Sequence, residues 1–150
     1  MRFGSAVHAA FERVGWVDET APALPQDDAG SLVAELLGQA ALRATFERRG
    51  RNVDLFREQA IDAILDGQWL SGVIDRLHVH RDAAGTVTQV EVIDFKTDAV
   101  GQLAELGERY GGQMRAYCEV MERAFGGAVV VGVLFSTHLR AVLIAGDVGS

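Results

Sequence analysis

Apolar side chains crowd into Val87, Val90, Val92, Ile93 and Phe95, a density and spacing that predict a mostly buried strand from Val87 to Phe95. Successive side chains of a strand leave on opposite faces, so Asp94 and Lys96, on either side of Phe95, point the same way. A second β-rich run, Gln68 to His80, contains Gly72-Val73-Ile74-Asp75-Arg76-Leu77, and Asp82-Ala83-Ala84-Gly85 supplies a turn between the two runs. Gly72 there allows a close backbone approach just before Asp75. Val53 to Leu65 alternates imperfectly, with Phe56, Glu58, Ala60, Asp62 and Ile64 on one side of an ideal strand, and Asp66-Gly67-Gln68 would fold it back antiparallel. Ala128 to Ser136 is continuously apolar, as in a strand buried on both faces. Arg140 to Ala145 reads as a final edge strand.

Three stretches carry helical periodicity. Val7, Ala10, Phe11 and Val14 form one apolar face over Gly4 to Val14. A second helix, capped by Asp28 or Ser31, is predicted to run to about Arg49 with Leu32, Leu36, Ala40 and Phe46 inward and Gly50 as its stop. The longest helix spans Gln102 to Phe125, with Leu103, Leu106, Tyr110, Met114, Tyr117 and Met121 read as core. Ala21 to Asp28 holds both prolines and reads as a surface loop. Helix, three antiparallel strands, helix, strand describes an α/β fold with a mixed central sheet, its last two strand neighbours joined by a parallel crossover.

The 150 residues are expected to form a single domain, 1–150, with a sizeable core, since 49% are hydrophobic and 23% charged. No apolar run approaches the roughly 20 residues of a bilayer span. The start of the chain lacks a signal-peptide core, so a cytoplasmic location is expected. The single Cys118 excludes an internal disulfide and a four-cysteine cluster. A net charge of −7 argues against a protein that coats nucleic acid by itself. No phosphate-binding motif of an ATP motor is present.

A hairpin between the two central runs would bring Asp75 beside Asp94. Two carboxylates that close repel, and burial raises the cost of their charge, so the pair needs a counter-charge, a shared proton or a metal. Arg76 faces away from Asp75 and reads as a structural salt-bridge partner. His78 and His80 share a strand face like a metal pair, but their place towards the turn reads as an exposed strand end. Arg48, Arg49 and Arg51 cluster where the second helix would end, and read as compensating its dipole in preference to contacting phosphate.

These residues resemble, in order, the motifs of the PD-(D/E)xK nuclease superfamily, in the branch similar to the RecB and AddA helicase-nucleases. Gly4-Ser5-Ala6-Val7-His8 is similar to that branch's G-x-x-x-H. Glu58 is similar to its strand acid, Asp75, Asp94 and Lys96 to its D…(D/E)xK core, and Gln113-Met114-Arg115-Ala116-Tyr117 to its Q-x-x-x-Y helix. The resemblance implies a restriction-endonuclease-like core, αβββαβ. It also implies hydrolysis of DNA phosphodiesters with Mg²⁺ or Mn²⁺, of exonuclease type, in repair or recombination alongside a helicase domain or subunit. The implied metal ligands are Asp75, Asp94, the backbone carbonyl of Phe95, His8 and Glu58. Lys96 would orient the attacking water or stabilise phosphate charge, while Gln113 and Tyr117 would touch DNA or order Lys96. Ile74 stands where the family's name places proline, and the interval between His8 and Asp75 leaves little room for a DNA-gripping insertion. The competing expectation is a catalytically silent nucleic-acid-binding or protein-docking module of the same fold, which would have lost at least one ligand; none is missing.

Overall fold

The computed structural model describes residues 2–144. Its elements are α1 (Phe3–Glu12), α2 (Asp28–Leu37), α3 (Ala40–Arg43) running into a 3-10 turn (Ala44–Phe46), β1 (Val53–Leu65), β2 (Gln68–Arg81), β3 (Val87–Lys96), α4 (Leu103–Ala124), β4 (Val129–Ser136) and β5 (Ala141–Ile144). The five strands form one sheet in the order β1-β2-β3-β4-β5. All neighbours are antiparallel except β3 and β4, which run parallel on either side of α4. The expected α/β order and mixed sheet are therefore present, as is the edge strand, of which Ala145 lies outside the described residues.

Each face of the sheet carries its own core. On one, Phe11 of α1 stacks on Phe95 of β3 at 4.1 Å between ring centroids, and Phe46 and Phe135 close the cluster. On the other, Leu77, Val79, Val90, Val92 and Leu134 meet Leu106, Met114, Tyr117 and Met121 of α4. Phe95 belongs to the first core and its neighbours Asp94 and Lys96 project to the α4 side, so the strand alternation read from sequence places the acid and the ammonium together.

The second helix differs from expectation. Asp27 is its cap, its side chain accepting a hydrogen bond from the Gly30 N–H at 2.8 Å. The helix stops at Leu37, where Gly38 weakens continuation by about 1 kcal/mol relative to alanine. The chain re-enters as the short α3 and 3-10 turn, and so still buries Leu36, Leu42 and Phe46 fully. No helix ends at Arg48, so the dipole reading of the arginines falls. Arg48 instead donates to Glu19 Oε1 at 2.9 Å and to the Arg51 carbonyl at 2.6 Å.

The long β1–β2 hairpin also departs from an ideal strand. Its two-residue turn, Asp66-Gly67, has positive φ at both positions, 51° and 79°, which suits the right-handed twist of the flanking strands. The register is the same from Val53↔His80 to Leu65↔Gln68, but Glu58 and Asp75 drop out of the ladder, and Glu58 has a left-handed φ of 52°. On both strands the side-chain alternation slips there. Ile61 and Ile74 on one side of the kink join the same core as Leu77 and Val79 on the other. Phe56 therefore borders the same crevice under α4 as Gln59 and Ile61, and the single face from Phe56 to Ile64 does not exist. Beyond the kink the hairpin projects as a two-stranded arm with Ile64, Trp69 and Val73 exposed.

Candidate active site

The acids meet at that kink. Arg76 pairs with Ile93 across β2 and β3, so one further step of the register sets Asp75 opposite Asp94. Asp75 Oδ2 accepts the Phe95 N–H at 2.8 Å and lies 3.3 Å from His8 Nε2 of α1. His8 is fixed from within its own helix, Nδ1 lying 2.8 Å from the Gly4 carbonyl. A Cβ at Gly4 would stand 2.9 Å from Thr97 Oγ1, so the glycine lets α1 come down against the end of β3. Lys96 Nζ lies 2.8 Å from Asp94 Oδ2 and 3.9 Å from the centre of the Tyr110 ring. Both lysine and Asp94 are nearly buried, at 16% and 12% exposure. An ammonium on an aromatic face and a carboxylate is held by two attractions, both stronger for being partly desolvated.

Electrostatics separate the two carboxyls. Burial and contact with Asp75 push Asp94 up to about 7, against a smaller downward pull from Lys96. Burial also opposes the charge of Asp75, but the hydrogen bonds from His8, Asp94 and the Phe95 amide outweigh it and hold this carboxyl below its usual range. The Asp75 hydrogen bond lifts His8 to about 9 against the opposing effect of burial, so at neutral pH it is an imidazolium. Near pH 7 the pair thus holds one firm negative charge and a proton on or near Asp94, the behaviour of two acids sharing a site.

Glu58 sits across from Asp75, its carboxyl raised first by burial and then by the charges of Asp75 and Glu12. Tyr117 is buried and packs against Gly72, where any Cβ would collide with its hydroxyl, so the close approach expected at that glycine is to α4. Burial and the charges of Asp94 and Asp75 raise the Tyr117 hydroxyl. Gln113 lies on the exposed side of the same helix. Of α4, the residue touching Lys96 is Tyr110, which sequence periodicity marks only as core. Its hydroxyl donates to Asp98 Oδ2 at 2.7 Å, and Arg109 braces the same carboxylate at 3.2 Å. The available signal was spacing: Tyr110 is one turn before Gln113 and two before Tyr117, on one helical stripe.

Among the described residues, no three His, Cys, Asp or Glu side chains converge closely enough to hold a metal ion as they stand. The donor chemistry nevertheless fits a hard divalent cation. Two contacting carboxylates, one poised at about 7, stand beside the Phe95 backbone and within the field of Glu58, all of them oxygen donors. His8 would join such a set only after losing its proton.

His78 and His80 belong elsewhere. They are not an exposed strand end: His78 is buried, and both rings meet Glu91 Oε1, at 3.3 Å and 2.7 Å. Arg76 Nε donates to His78 Nε2 at 2.7 Å, which leaves the proton of the neutral ring on Nδ1, facing Glu91. Burial first, then Arg76, lowers His78. The two imidazoles overcome the burial of Glu91 and hold it at about 2. A carboxyl whose pKa is depressed on folding stabilises above its unfolded value, so this contribution is complete above about 4.5 and is lost as pH falls through about 2. It amounts to about 3 kcal/mol. Urea titrations at pH 6 and pH 3 should show a smaller loss of stability for Glu91→Gln than for the wild type; equal losses would remove Glu91 from the acid response.

A search of curated proteins finds no match to the chain. No helix among the described residues is long and apolar enough to cross a membrane. A family model, the PD-(D/E)XK nuclease superfamily, matches residues 1–142, a span that contains Asp75, Asp94, Lys96 and every element from α1 to β4. With its acids opposed across β2 and β3 and its lysine beside them, the chain belongs to the PD-(D/E)XK nuclease superfamily.

Proposed function

We propose that this protein is a Mg²⁺- or Mn²⁺-dependent deoxyribonuclease of the RecB and AddA-like branch. In this reading it forms one domain that degrades DNA from an end during repair or recombination, with a helicase domain or subunit delivering the strand. The observation that carries the reading is the contact of Asp75 with Asp94 while Lys96 Nζ lies 2.8 Å from Asp94. Asp75, Asp94 and the carbonyl of Phe95 would hold the cation, with Glu58 and, once deprotonated, His8 at its margin. A divalent ion bound there supplies a hydroxide near neutral pH and neutralises charge on the phosphate. The protein's own part is positional. Lys96, fixed by Asp94 and the Tyr110 face, presents an ammonium to the attacking water or to the charge that grows on the phosphate. Gln113, exposed on α4, borders the path of the strand, while Tyr117 supports the hairpin at Gly72 beside the acids. A helicase partner accounts for a nuclease of net charge −7, which has few cations to grip DNA, and the apolar arm at Ile64, Trp69 and Val73 offers such a partner a surface.

The test is incubation with linear and circular, single- and double-stranded DNA in Mg²⁺, Mn²⁺ or EDTA. Metal-dependent loss of linear substrate is expected, and no cleavage of any substrate with either ion would leave the fold as a silent module. In parallel, Mn²⁺ should raise the melting temperature by mass action on the folded state, more at pH 8 than at pH 6, because Asp94 must release its proton first. Asp94→Ala should abolish that shift; a shift equal to wild type would place the ion elsewhere.

A further inference from the structure

Beside the acids, at the ends of β3 and β4, lies a crevice of about 340 Å³ that the cleavage chemistry does not use. It abuts the catalytic strand. Thr97, on its wall, follows Lys96 directly, and Thr137, also on the wall, donates its amide to the Lys96 carbonyl at 3.0 Å. Its other side is α1, whose Gly4 lies four residues, about 6 Å along the axis, before His8. A group seated here is therefore about one nucleotide step from a phosphate held at Asp75 and Asp94.

The lining has three kinds of chemistry. Phe3 stands at the lip with 49% of its surface exposed, in a helix whose inner positions are otherwise buried, and Leu32 adds an apolar wall. Thr97 contributes a hydroxyl. His138 and Arg140 form the outer rim. Among the described residues Arg140 is held by Glu35 alone, at 3.0 Å, with side-chain exposures of 38% and 60%, a surface pair that exchanges cheaply for a phosphate. An aromatic face beside a cation is the combination that receives successive units of a single strand, since every base has a face to stack and every unit a phosphate. A paired base inside a duplex offers neither face, so the crevice selects an unpaired end.

From these features we infer that the crevice between α1 and the end of β4 is a subsite for the nucleotide adjoining the scissile phosphate. Phe3 stacks on its base and Arg140 binds its phosphate. The inference deepens the nuclease reading and rests on it for the position of the scissile bond. It also places a grip for single strands on a chain whose overall charge disfavours DNA.

Fluorescence anisotropy tests it, with a labelled thymidylate octamer in Ca²⁺ to prevent cutting. Phe3 and Arg140 are surface residues, so Phe3→Ala and Arg140→Gln should fold as wild type, checked by circular dichroism. Each is expected to weaken the octamer about five- to tenfold, and Arg140→Gln should flatten the salt dependence by about one phosphate contact. Octamer affinities equal to wild type in both variants, or no measurable octamer binding by the wild type, would overturn the subsite. So would thymidine 5′-monophosphate competing as tightly as the octamer, which would make this a free-nucleotide site. The two readings fail separately. A wild type that cuts DNA beside variants that bind normally removes only the subsite, whereas variants weakened in a wild type that never cuts remove the nuclease reading and leave the crevice as a single-strand site without a scissile bond beside it.

Discussion

Lys96→Ala is expected to slow phosphodiester cleavage by about a hundred- to a thousandfold, the scale of losing one preorganised electrostatic donor, while the protein stays folded. The fold tolerates the loss because of Asp94. With its ammonium gone, this carboxyl has lost the charge that drew it down, and it answers by holding its proton to still higher pH than about 7. A neutral carboxyl hydrogen-bonded to Asp75 needs no counter-ion. The cost in stability therefore appears only as pH rises past the wild-type value, and urea midpoints of the two proteins should converge below pH 6. Metal binding should persist but move to higher pH, since the acid pair attracts a cation more strongly without its lysine only once Asp94 has released its proton. Single-turnover cleavage with saturating Mn²⁺ is the deciding measurement. A variant that cuts at the wild-type rate would show that the ammonium over Tyr110 is only a structural counter-charge for Asp94.

The legible part of this fold is what period-two alternation controls. Phe95 is buried on one side and Asp94 and Lys96 lie on the other because strand geometry allows nothing else, but Asp75 meets Asp94 only because the β2–β3 register shifts by one residue between His80 and Arg81, an irregularity that the Asp82–Gly85 turn does not announce. Alternation also explains the errors. It assumes an unbroken ladder, and the slip at Glu58 and Asp75 costs one pairing to turn both acids towards the site, a local violation at a functional place. Gly38 illustrates a weaker signal, since a single glycine in an apolar-periodic run does not announce whether the helix will bend or end. Tyr110 was hidden because a ring that supports a lysine occupies the same helical stripe as one that fills a core. His78 and His80 were misplaced because strand position alone does not reveal Glu91 across the ladder, although their pairing with β3 was implicit in the register.

Arg76 shows how tertiary context overrides a residue's usual meaning, and it carries the largest expected loss of stability. The sequence predicts a salt bridge for it, but its guanidinium, 1% exposed, meets no carboxylate among the described residues. It donates to the Val14 carbonyl at 2.6 Å, the Gly15 carbonyl at 2.9 Å and His78 Nε2, and lies 4.8 Å from the Phe46 ring and 5.1 Å from that of Trp16. Burial lowers it to about 9, which still leaves it charged at neutral pH. These carbonyls follow the end of α1, so Arg76 ties that helix to β2 one residue from Asp75, and with it fixes His8 against the acid. Arg76→Ala leaves two carbonyls and an imidazole nitrogen without a donor and opens a cavity among aromatic rings, and is expected to cost about 3–5 kcal/mol. That corresponds to a fall in melting temperature of about 10 °C for a chain of this size. Arg76→Lys should recover little, because an ammonium cannot span the two carbonyls and His78 as the planar fork does. Since α1 loosens with the loss, the pKa of His8 should fall from about 9 towards its ordinary value of 6.5, readable by NMR titration in Arg76→Lys below its melting point. A denaturation midpoint within 1 kcal/mol of wild type, or a His8 titration that does not move, would show that α1 is held on β2 by the aromatic cluster alone.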